Sequence, residues 1–184
     1  MFATSLGDDG AELRPLEIWQ AEEFLAHVDR AREIVDPWIP FASFATDLDS
    51  ARALLRRYAE KQAADTGRLY GIWLDDTLVG GVLFRIFDAE SGTCEIGCWL
   101  EPAGEGRGLV TRAAGKLIDW AVHERGMHRV EWHASAANTR SIAVAKRLGM
   151  TRDGVLRESY LYRGERHDSE IWSVLAREWR ARKG

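Results

Sequence analysis

Glycines recur at every second position in a turn that leads into a strongly amphipathic segment. Gly104, Gly106 and Gly108 separate an alternating apolar run from a segment whose apolar residues follow helical spacing. Glycine lets the backbone curl so that several N–H groups point at one spot, and a helix N-terminus adds unpaired N–H groups and a positive dipole end. The turn from Gly104 to Thr111 is therefore predicted to bind an anion such as a phosphate, with a flexible connector as the alternative.

Two familiar phosphate-binding motifs do not fit this turn. A GxGxxG motif beginning at Gly104 or Gly106 would need glycine at Leu109 or Thr111. A GxxxxGK(S/T) motif fails because no glycine of the turn is followed by lysine. The run before the turn also belongs to a predicted antiparallel meander, which disfavours a nucleotide-binding βαβ unit.

The composition is that of a soluble globular protein. The chain has 184 residues, of which 46% are hydrophobic and 29% charged, and its formal net charge is −4. The negative charge disfavours a general nucleic-acid binder, and no apolar stretch approaches the ~20 residues of a membrane-spanning helix. The N-terminus has no secretory pattern. We expect a cytoplasmic protein with no nucleic-acid or membrane partner.

Two cysteines lie four residues apart in the alternating run. No second pair of Cys or His residues accompanies Cys94 and Cys98 at the spacing of a metal site. Both are predicted to be reduced core residues, and no metal is expected.

The elements that hold the glycine turn are of mixed type. A short strand is predicted over Leu13–Leu16, and the later strands are predicted over Leu69–Leu74, Thr77–Phe87, Thr93–Leu100, Arg129–Ser135, Met150–Leu161 and His167–Leu175. Helices are predicted over Ala21–Arg32, from Thr46 onward, from the glycine turn to Gly126, and over Asn138–Leu148. Residues 1–10 are predicted to be a flexible leader, and residues 11–184 a single domain.

The turn and its helix resemble the acyl-CoA signature of the GNAT superfamily, (Q/R)xxGx(G/A). Glu105 stands at its first position, Gly108 at the central glycine and Val110 at the last position, so the first and last residues depart from the pattern. Over roughly residues 12–180 the chain is similar to the Rim-type branch, the ribosomal-protein alanine/serine N-acetyltransferases. The matching segments include Trp38-Ile39-Pro40, Gly108-Leu109-Val110-Thr111, Asn138-Thr139-Arg140-Ser141, Leu148-Gly149-Met150 and His167-Asp168-Ser169. The resemblance implies an α/β (α+β) fold: a mixed, mostly antiparallel sheet flanked by helices, with acyl-CoA between two splayed strands.

The same resemblance implies a cofactor site. It places acyl-CoA on a backbone N–H near Cys98, Trp99 and Leu100 and on the phosphate turn, whose residues are Glu105, Gly106, Arg107, Gly108, Leu109, Val110 and Thr111. It assigns Asn138 to the pantetheine arm and Ser141 to proton donation toward the sulfur. From local sequence alone, Asn138 is equally an N-cap. Ala145 occupies the position at which many superfamily members have Tyr, which leaves the role of proton donor to Ser141.

Candidates for a general base lie on strands near the predicted cleft. Glu95 and Glu158 are both retained as catalytic candidates, while His133 and its neighbour Glu131 are expected to be structural. The acceptor pocket is predicted to include Trp38 and Tyr160, and the cations that could reach the CoA phosphates are Arg107, Arg112, Arg140 and Lys146.

The implied activity is transfer of an acetyl group from acetyl-CoA to a primary amine, with a protein N-terminus as the expected acceptor and a homodimer as the expected assembly. Small amines or antibiotics as acceptors and succinyl-CoA as donor are alternatives within the same chemistry. A sensor that binds acyl-CoA without turnover is an alternative of another class.

Overall fold

Alternating apolar residues and helical repeats build one eight-stranded sheet with helices on both faces. The computed structural model describes residues 3–40, 43 and 45–182. The strands are β1 Thr4–Ser5, β2 Ala11–Pro15, β3 Arg68–Leu74, β4 Thr77–Asp88, β5 Thr93–Leu100, β6 Arg129–Ser135, β7 Thr151–Tyr162 and β8 Glu165–Leu175. The helices are α1 Ala21–Val35, α2 Leu48–Ala63, α3 Leu109–Asp119, α4 Thr139–Arg147 and α5 Ala176–Ala181.

The strands lie in the order β1-β2-β3-β4-β5-β6-β8-β7. Every neighbouring pair is antiparallel except β5 and β6, which are parallel because α3 provides the crossover between them. The predicted mixed, mostly antiparallel sheet flanked by helices is confirmed.

Each face of the sheet carries its own hydrophobic core. On one face, Phe24 of α1 and Leu55 of α2 pack with Trp99 of β5. On the other face, the core around α3 and α4 includes Leu117 of α3 and Ile96 of β5. Residues of β5 therefore alternate between the two cores, which fixes the strand between two packed layers.

Local signals set the starts of the helices. Asp47 caps α2 by accepting a 2.8 Å hydrogen bond from the Ser50 N–H, and Asn138 caps α4 by accepting one of 3.0 Å from the Ser141 N–H. Gly126, with φ of 68°, ends the segment that follows α3, as predicted. Because the caps depend on residues close in sequence, these boundaries were predictable to within a few residues.

Within the predicted leader, residues 1–10, the described residues 3–10 differ from the flexible segment that the composition suggests. Thr4–Ser5 pairs with β2, the Leu6 side chain is buried, and Asp9 forms an ion pair with Arg112 of α3. The chain therefore joins the fold from its first described residues onward, and residues 1–2 and 183–184 lie outside those described. No helix in the described part of the chain is long and apolar enough to cross a membrane.

Candidate active site

Strands β5 and β6 separate partway along their length. They pair only through Thr93–Glu95 and Arg129–Glu131 within the described residues, and beyond this point they diverge. A cleft of about 970 Å³ opens between them and reaches both faces of the sheet. The splayed strand pair that the family resemblance implied is therefore present.

The far end of β5 forms one wall of the cleft. Cys98, Trp99 and Leu100 all line it while their strand remains paired with β4. Successive N–H groups of an extended strand point to opposite edges, so some of those in β5 face the cleft instead of β4. These groups are available to hold a carbonyl oxygen. The Cys94 and Cys98 thiols are free, and burial raises the pKa of each to about 12.

The glycine turn closes the cleft on the α3 side. Gly106 and Gly108 have φ of 75° and 67°, a left-handed conformation that favours glycine, and a Cβ at either position would meet no atom within 4 Å. Gly108 is the N-cap residue of α3. The first hydrogen bond of the helix runs from the Arg112 N–H to the Gly108 carbonyl oxygen, at 3.0 Å. The N–H groups of Leu109 to Thr111 therefore have no partner within the helix and lie at its positive end, beside open space.

Residues of this turn divide between the cleft and solvent. Those that line the cleft are Gly104, Glu105, Gly106, Gly108, Leu109, Val110 and Thr111. Arg107 is exposed and does not line it, although its carbonyl oxygen accepts a 3.1 Å hydrogen bond from Arg112. Arg107 thus contributes backbone to the turn.

Positively charged side chains cluster near the glycine turn, but they are only in part the ones that the sequence predicted. Arg140 of α4 lines the cleft and forms an ion pair with Glu105, so the residue that departs from the family signature faces a positive partner. Arg112 is held by Asp9, and the Lys146 ammonium lies 5.9 Å from the centre of the Trp172 ring, away from the cleft.

Arg147 also lines the cleft and donates a 3.3 Å hydrogen bond to Thr111 Oγ1. Arg147 was not among the cations predicted from the sequence. Its position seven residues after Arg140, two turns along the same helix face, was the available signal.

Ser141 lies on the first turn of α4 with its hydroxyl in a defined orientation. Trp132 Nε1 donates a 2.9 Å hydrogen bond to Ser141 Oγ. Since the indole can only donate, the serine oxygen accepts there and its own proton is directed elsewhere. Asn138 binds the Ser141 N–H through Oδ1, which leaves its amide NH₂ for other partners. Ser141 and Asn138 both line the cleft, whereas Ala145 is fully buried.

A chain of charged groups lies on the face of the sheet that carries α1 and α2, where β5 and β6 begin to separate. Glu95 of β5 is only 6% exposed and forms a bidentate ion pair with Arg85 of β4. His133 of β6 bridges two carboxylates: its Nδ1 lies 3.7 Å from Glu95 Oε2, and its Nε2 lies 2.9 Å from Glu131 Oε2. Burial raises the pKa of Glu131, but hydrogen bonds from Arg129 and His133 outweigh this and hold that pKa below its usual value.

Glu95 and Glu131 are direct register partners, which explains how His133 comes to lie between them. His133 was expected to be structural, yet it lines the cleft. The missing information was which strand lies beside β6, because alternation along one strand does not identify its neighbour.

The second carboxylate candidate lies elsewhere. Glu158 is exposed, has φ of 51° in an irregular stretch of β7, and does not line the cleft. Its N–H donates a 2.8 Å hydrogen bond to Asp168 Oδ1. The structure therefore does not bring Glu158 and Glu95 together.

The two predicted acceptor residues, Trp38 and Tyr160, do line the cleft, from the loop after α1 and from β7. Tyr160 stacks on Tyr162 with ring centres 5.8 Å apart. In the described residues, no group of three or more His, Cys, Asp and Glu is placed to hold a metal ion.

Known proteins share this architecture. The chain is 31% identical over 176 residues to a Bacillus subtilis (strain 168) protein with the provisional name ribosomal N-acetyltransferase YdaF, covering 93% of this chain and 94% of that relative. The ribosomal L7/L12 alpha-N-protein acetyltransferase RimL, solved with coenzyme A, superposes with a TM-score of 0.89 at 17% identity, covering 94% of this chain and 97% of that one. The microcin C7 self-immunity acetyltransferase MccE, solved with acetyl-CoA and AMP, gives a TM-score of 0.86 at 24% identity, covering 92% and 94%.

These two solved structures are similar in fold. The sequence profile of the acetyltransferase (GNAT) domain matches residues 11–151, which include the glycine turn and both splayed strands. With the relative above 30% identity, this match identifies the chain as a member of the GNAT family of acyl-CoA-dependent N-acetyltransferases.

Proposed function

We propose that this enzyme transfers the acetyl group of acetyl-CoA to the α-amine of a protein N-terminus. The observation that carries the proposal is the cleft itself. It passes between the splayed strands, with the glycine turn and Ser141 toward α3 and α4, and the buried carboxylate Glu95 on the face that carries α1 and α2.

The residues toward α3 and α4 fit the chemistry of acetyl-CoA, which supplies an acyl thioester when bound. Unpaired N–H groups from Gly106 to Thr111 would hold the pyrophosphate, in space that a side chain at Gly106 or Gly108 would enter. Arg140 and Arg147 would add positive charge beside it. N–H groups near Cys98 to Leu100 would polarise the thioester carbonyl, and the Asn138 amide would hydrogen-bond the pantetheine arm.

Proton transfer would use groups on both faces. The acceptor amine attacks the acyl carbon as the carbon–sulfur bond breaks, so one proton must leave the nitrogen and one must reach the sulfur. Glu95 would accept the first, directly or through water, with His133 and Glu131 beside it to pass the proton on. Ser141 would donate the second, since its oxygen already accepts from Trp132.

The acceptor class rests on the relatives. The name of the Bacillus subtilis relative refers to ribosomal N-acetylation, and RimL is named as an α-N-acetyltransferase of a ribosomal protein. We extend this acceptor class to the present chain, and propose a cytoplasmic enzyme. The free Cys94 and Cys98 thiols are consistent with that compartment. We also propose a homodimer, supported by the exposed apolar residues Val155 and Leu161 on edge strand β7.

A thiol-release assay tests the proposal. Purified enzyme and acetyl-CoA are mixed with peptides that differ at the N-terminal residue, with small amines and an aminoglycoside, and with succinyl-CoA as a second donor. Mass spectrometry locates the acyl group. We expect acetylation of a peptide α-amine. Turnover restricted to small amines, or to succinyl-CoA, would move the enzyme to another substrate class, and CoA binding without any turnover would indicate a sensor.

The Glu95→Gln variant tests the carboxylate, with Glu158→Gln as its matched control. Loss of one positioned base costs on the order of 10²–10⁴ in rate. The defect of Glu95→Gln in kcat/KM should shrink as the pH rises past ~8, where a terminal amine is already neutral. The reverse result, a large loss in Glu158→Gln alone, would transfer the role to Glu158.

A further inference from the structure

The side of the cleft that holds Glu95 is walled mainly by apolar and aromatic side chains. Trp38 lines it from the loop after α1, Leu54 and Tyr58 from α2, and Leu83 from β4. Leu54 belongs to the core between the sheet and the helices α1 and α2, and Tyr58 and Leu83 pack against that core while remaining partly exposed. The wall is therefore the open rim of a hydrophobic core, and an apolar group that displaces water from it binds favourably.

The charged side chains that α2 and β4 add to this side have partners within the protein. Arg85 forms a bidentate ion pair with Glu95, and the Lys61 ammonium donates a 3.0 Å hydrogen bond to the Arg85 carbonyl oxygen. The Arg57 guanidinium lies 6.0 Å from the centre of the Tyr58 ring. These charges therefore do not define a class of acceptor, and the apolar wall is the feature that distinguishes this side.

A glycine leaves room in the wall beside the proposed base. Gly97 lies between Glu95 and Trp99 on the same face of β5, and it lines the cleft. Its φ is not positive, so the backbone does not require glycine here. A Cβ would meet only the side chain of Leu83, its register partner in β4, at 3.3 Å. The absent side chain leaves an apolar recess, which is lined by Leu54, Tyr58, Leu83 and Gly97.

We propose that the apolar recess binds the first side chain of the acceptor and selects N-termini that begin with a large apolar residue such as leucine or phenylalanine. The inference rests on the proposed acetyl transfer to a peptide α-amine, and it specifies which first residue is preferred. The reacting nitrogen is bonded to the first Cα. When the amine meets Glu95, the first side chain is therefore the one within reach of Gly97, about 7 Å further along the strand.

Peptides of equal length that differ only in the first residue test the recess. Leucine and asparagine have side chains of similar size and branching, so their comparison isolates polarity, while serine and phenylalanine extend the range of size. At pH of about 9 the terminal amines are mostly neutral, so their basicity does not decide the rates. We expect the kcat/KM of the leucine peptide to exceed those of the asparagine and serine peptides by at least about tenfold, the usual effect of small differences in a hydrophobic pocket.

Two substitutions should move the size preference in opposite directions. Gly97→Val fills the recess with a residue that suits a strand, and it should lower the leucine-to-serine ratio to about one or below. Leu83→Ala enlarges the recess and should raise the phenylalanine-to-leucine ratio. Damage to the fold would lower all the rates together. Gly154→Val is the matched control, because Gly154 also lies in a strand, has no atom within 4 Å of an added Cβ and does not line the cleft. It should keep the wild-type ratios.

The outcomes distinguish the two levels of the proposal. Equal use of the leucine and asparagine peptides by the wild-type enzyme would overturn the recess as an acceptor subsite while leaving acetyl transfer intact. Failure to acetylate any peptide would overturn the proposed function itself. Faster transfer to the serine peptide from butyryl-CoA than from acetyl-CoA, without any preference among first residues, would also overturn the inference, because the recess would then hold the acyl chain of the donor.

Discussion

The hydroxyl of Ser141 is oriented by a partner that cannot accept its proton. Trp132 donates to Ser141 Oγ at 2.9 Å, and the Ser141 N–H is held by Asn138. The side chain is therefore fixed at both ends before any ligand binds, which is the preorganisation that a proton donor needs. In the proposed mechanism, Ser141 takes the role that many superfamily members give to a tyrosine at the position of Ala145, which is fully buried here.

Ser141→Ala should lower kcat by on the order of 10²–10⁴, the usual effect of losing one positioned acid. The affinity for acetyl-CoA should be nearly unchanged, because the phosphate turn is not altered. Steady-state kinetics and calorimetry measure the two quantities. Ser135→Ala, which alters a second serine lining the cleft, is the control and should keep most of the activity. A kcat within twofold of wild type in Ser141→Ala would assign the proton to water or another group.

Individual residues were predictable to different degrees. Ser141 and Asn138 could be proposed because they lie in one short segment that matches a known pattern. The placement of His133 between Glu95 and Glu131 was not predictable, because it depends on β6 lying parallel to β5, more than thirty residues earlier in the chain. A charge on a strand cannot be judged solvated or functional until the neighbouring strand is known.

At the scale of elements, the turn before α3 combines backbone conformation and helix polarity in one place. The glycines permit positive φ at Gly106 and Gly108, and α3 begins at once with Leu109, so that the N–H groups of three residues face the same open space. A side chain at Gly108 would be tolerated sterically but would occupy the region proposed for the pyrophosphate.

Gly108→Asp should weaken CoA binding by at least about tenfold, since the carboxylate would be repelled by the pyrophosphate at the positive end of the helix. Positive φ at a non-glycine residue should also cost about 1 kcal/mol of stability. Gly126→Asp is a matched control: Gly126 has φ of 68°, open space where a Cβ would lie, and a place beyond the other end of the same helical segment. Calorimetry should show weakened CoA binding only in Gly108→Asp. Equal affinities in the two folded variants would remove the turn from the binding site.

The regular elements were largely predictable because their signals are local. Helical spacing in α3 and alternation in β5 repeat within a few residues, and the caps at Asp47 and Asn138 act over three residues. Strand β1 was missed because its two residues carry no periodic pattern, and its position depends on pairing with β2 and on the Asp9–Arg112 ion pair across 103 residues. Contacts of that range leave no trace in a short window of sequence.

At the scale of the whole molecule, a buried polar network connects α1 with the end of β5. Trp99 Nε1 donates a 2.9 Å hydrogen bond to His27 Nε2, which fixes the proton of the neutral imidazole on Nδ1. His27 Nδ1 then donates to Glu101 Oε2 at 3.1 Å, and Arg30 pairs with the same carboxylate. The network ties the helical layer to the strand end that lines the cleft and to the turn that follows it.

This network predicts how the stability of the fold depends on pH. Burial lowers the pKa of His27 from 6.5 to about 4, against the opposing attraction of Glu101. Between these values the unfolded chain binds a proton that the folded chain does not. The contribution of His27 to the free energy of unfolding should therefore be complete above pH 6.5. It should be lost as the pH falls toward 4, which lowers the stability by on the order of 3 kcal/mol.

Urea unfolding at several pH values from about 7.5 down to about 4.5 measures this dependence. His27→Gln should be less stable than wild type at the upper end of this range, because Trp99 and Glu101 lose well-placed partners, but its stability should change much less as the pH falls. Asp65, whose pKa is held well below its usual value chiefly by a hydrogen bond from Arg125, contributes its own loss only at lower pH. His123→Gln, which replaces an exposed histidine, should retain the wild-type slope. An unchanged slope in His27→Gln would show that His27 is protonated in the fold as readily as in the unfolded chain, and that its burial does not lower its pKa.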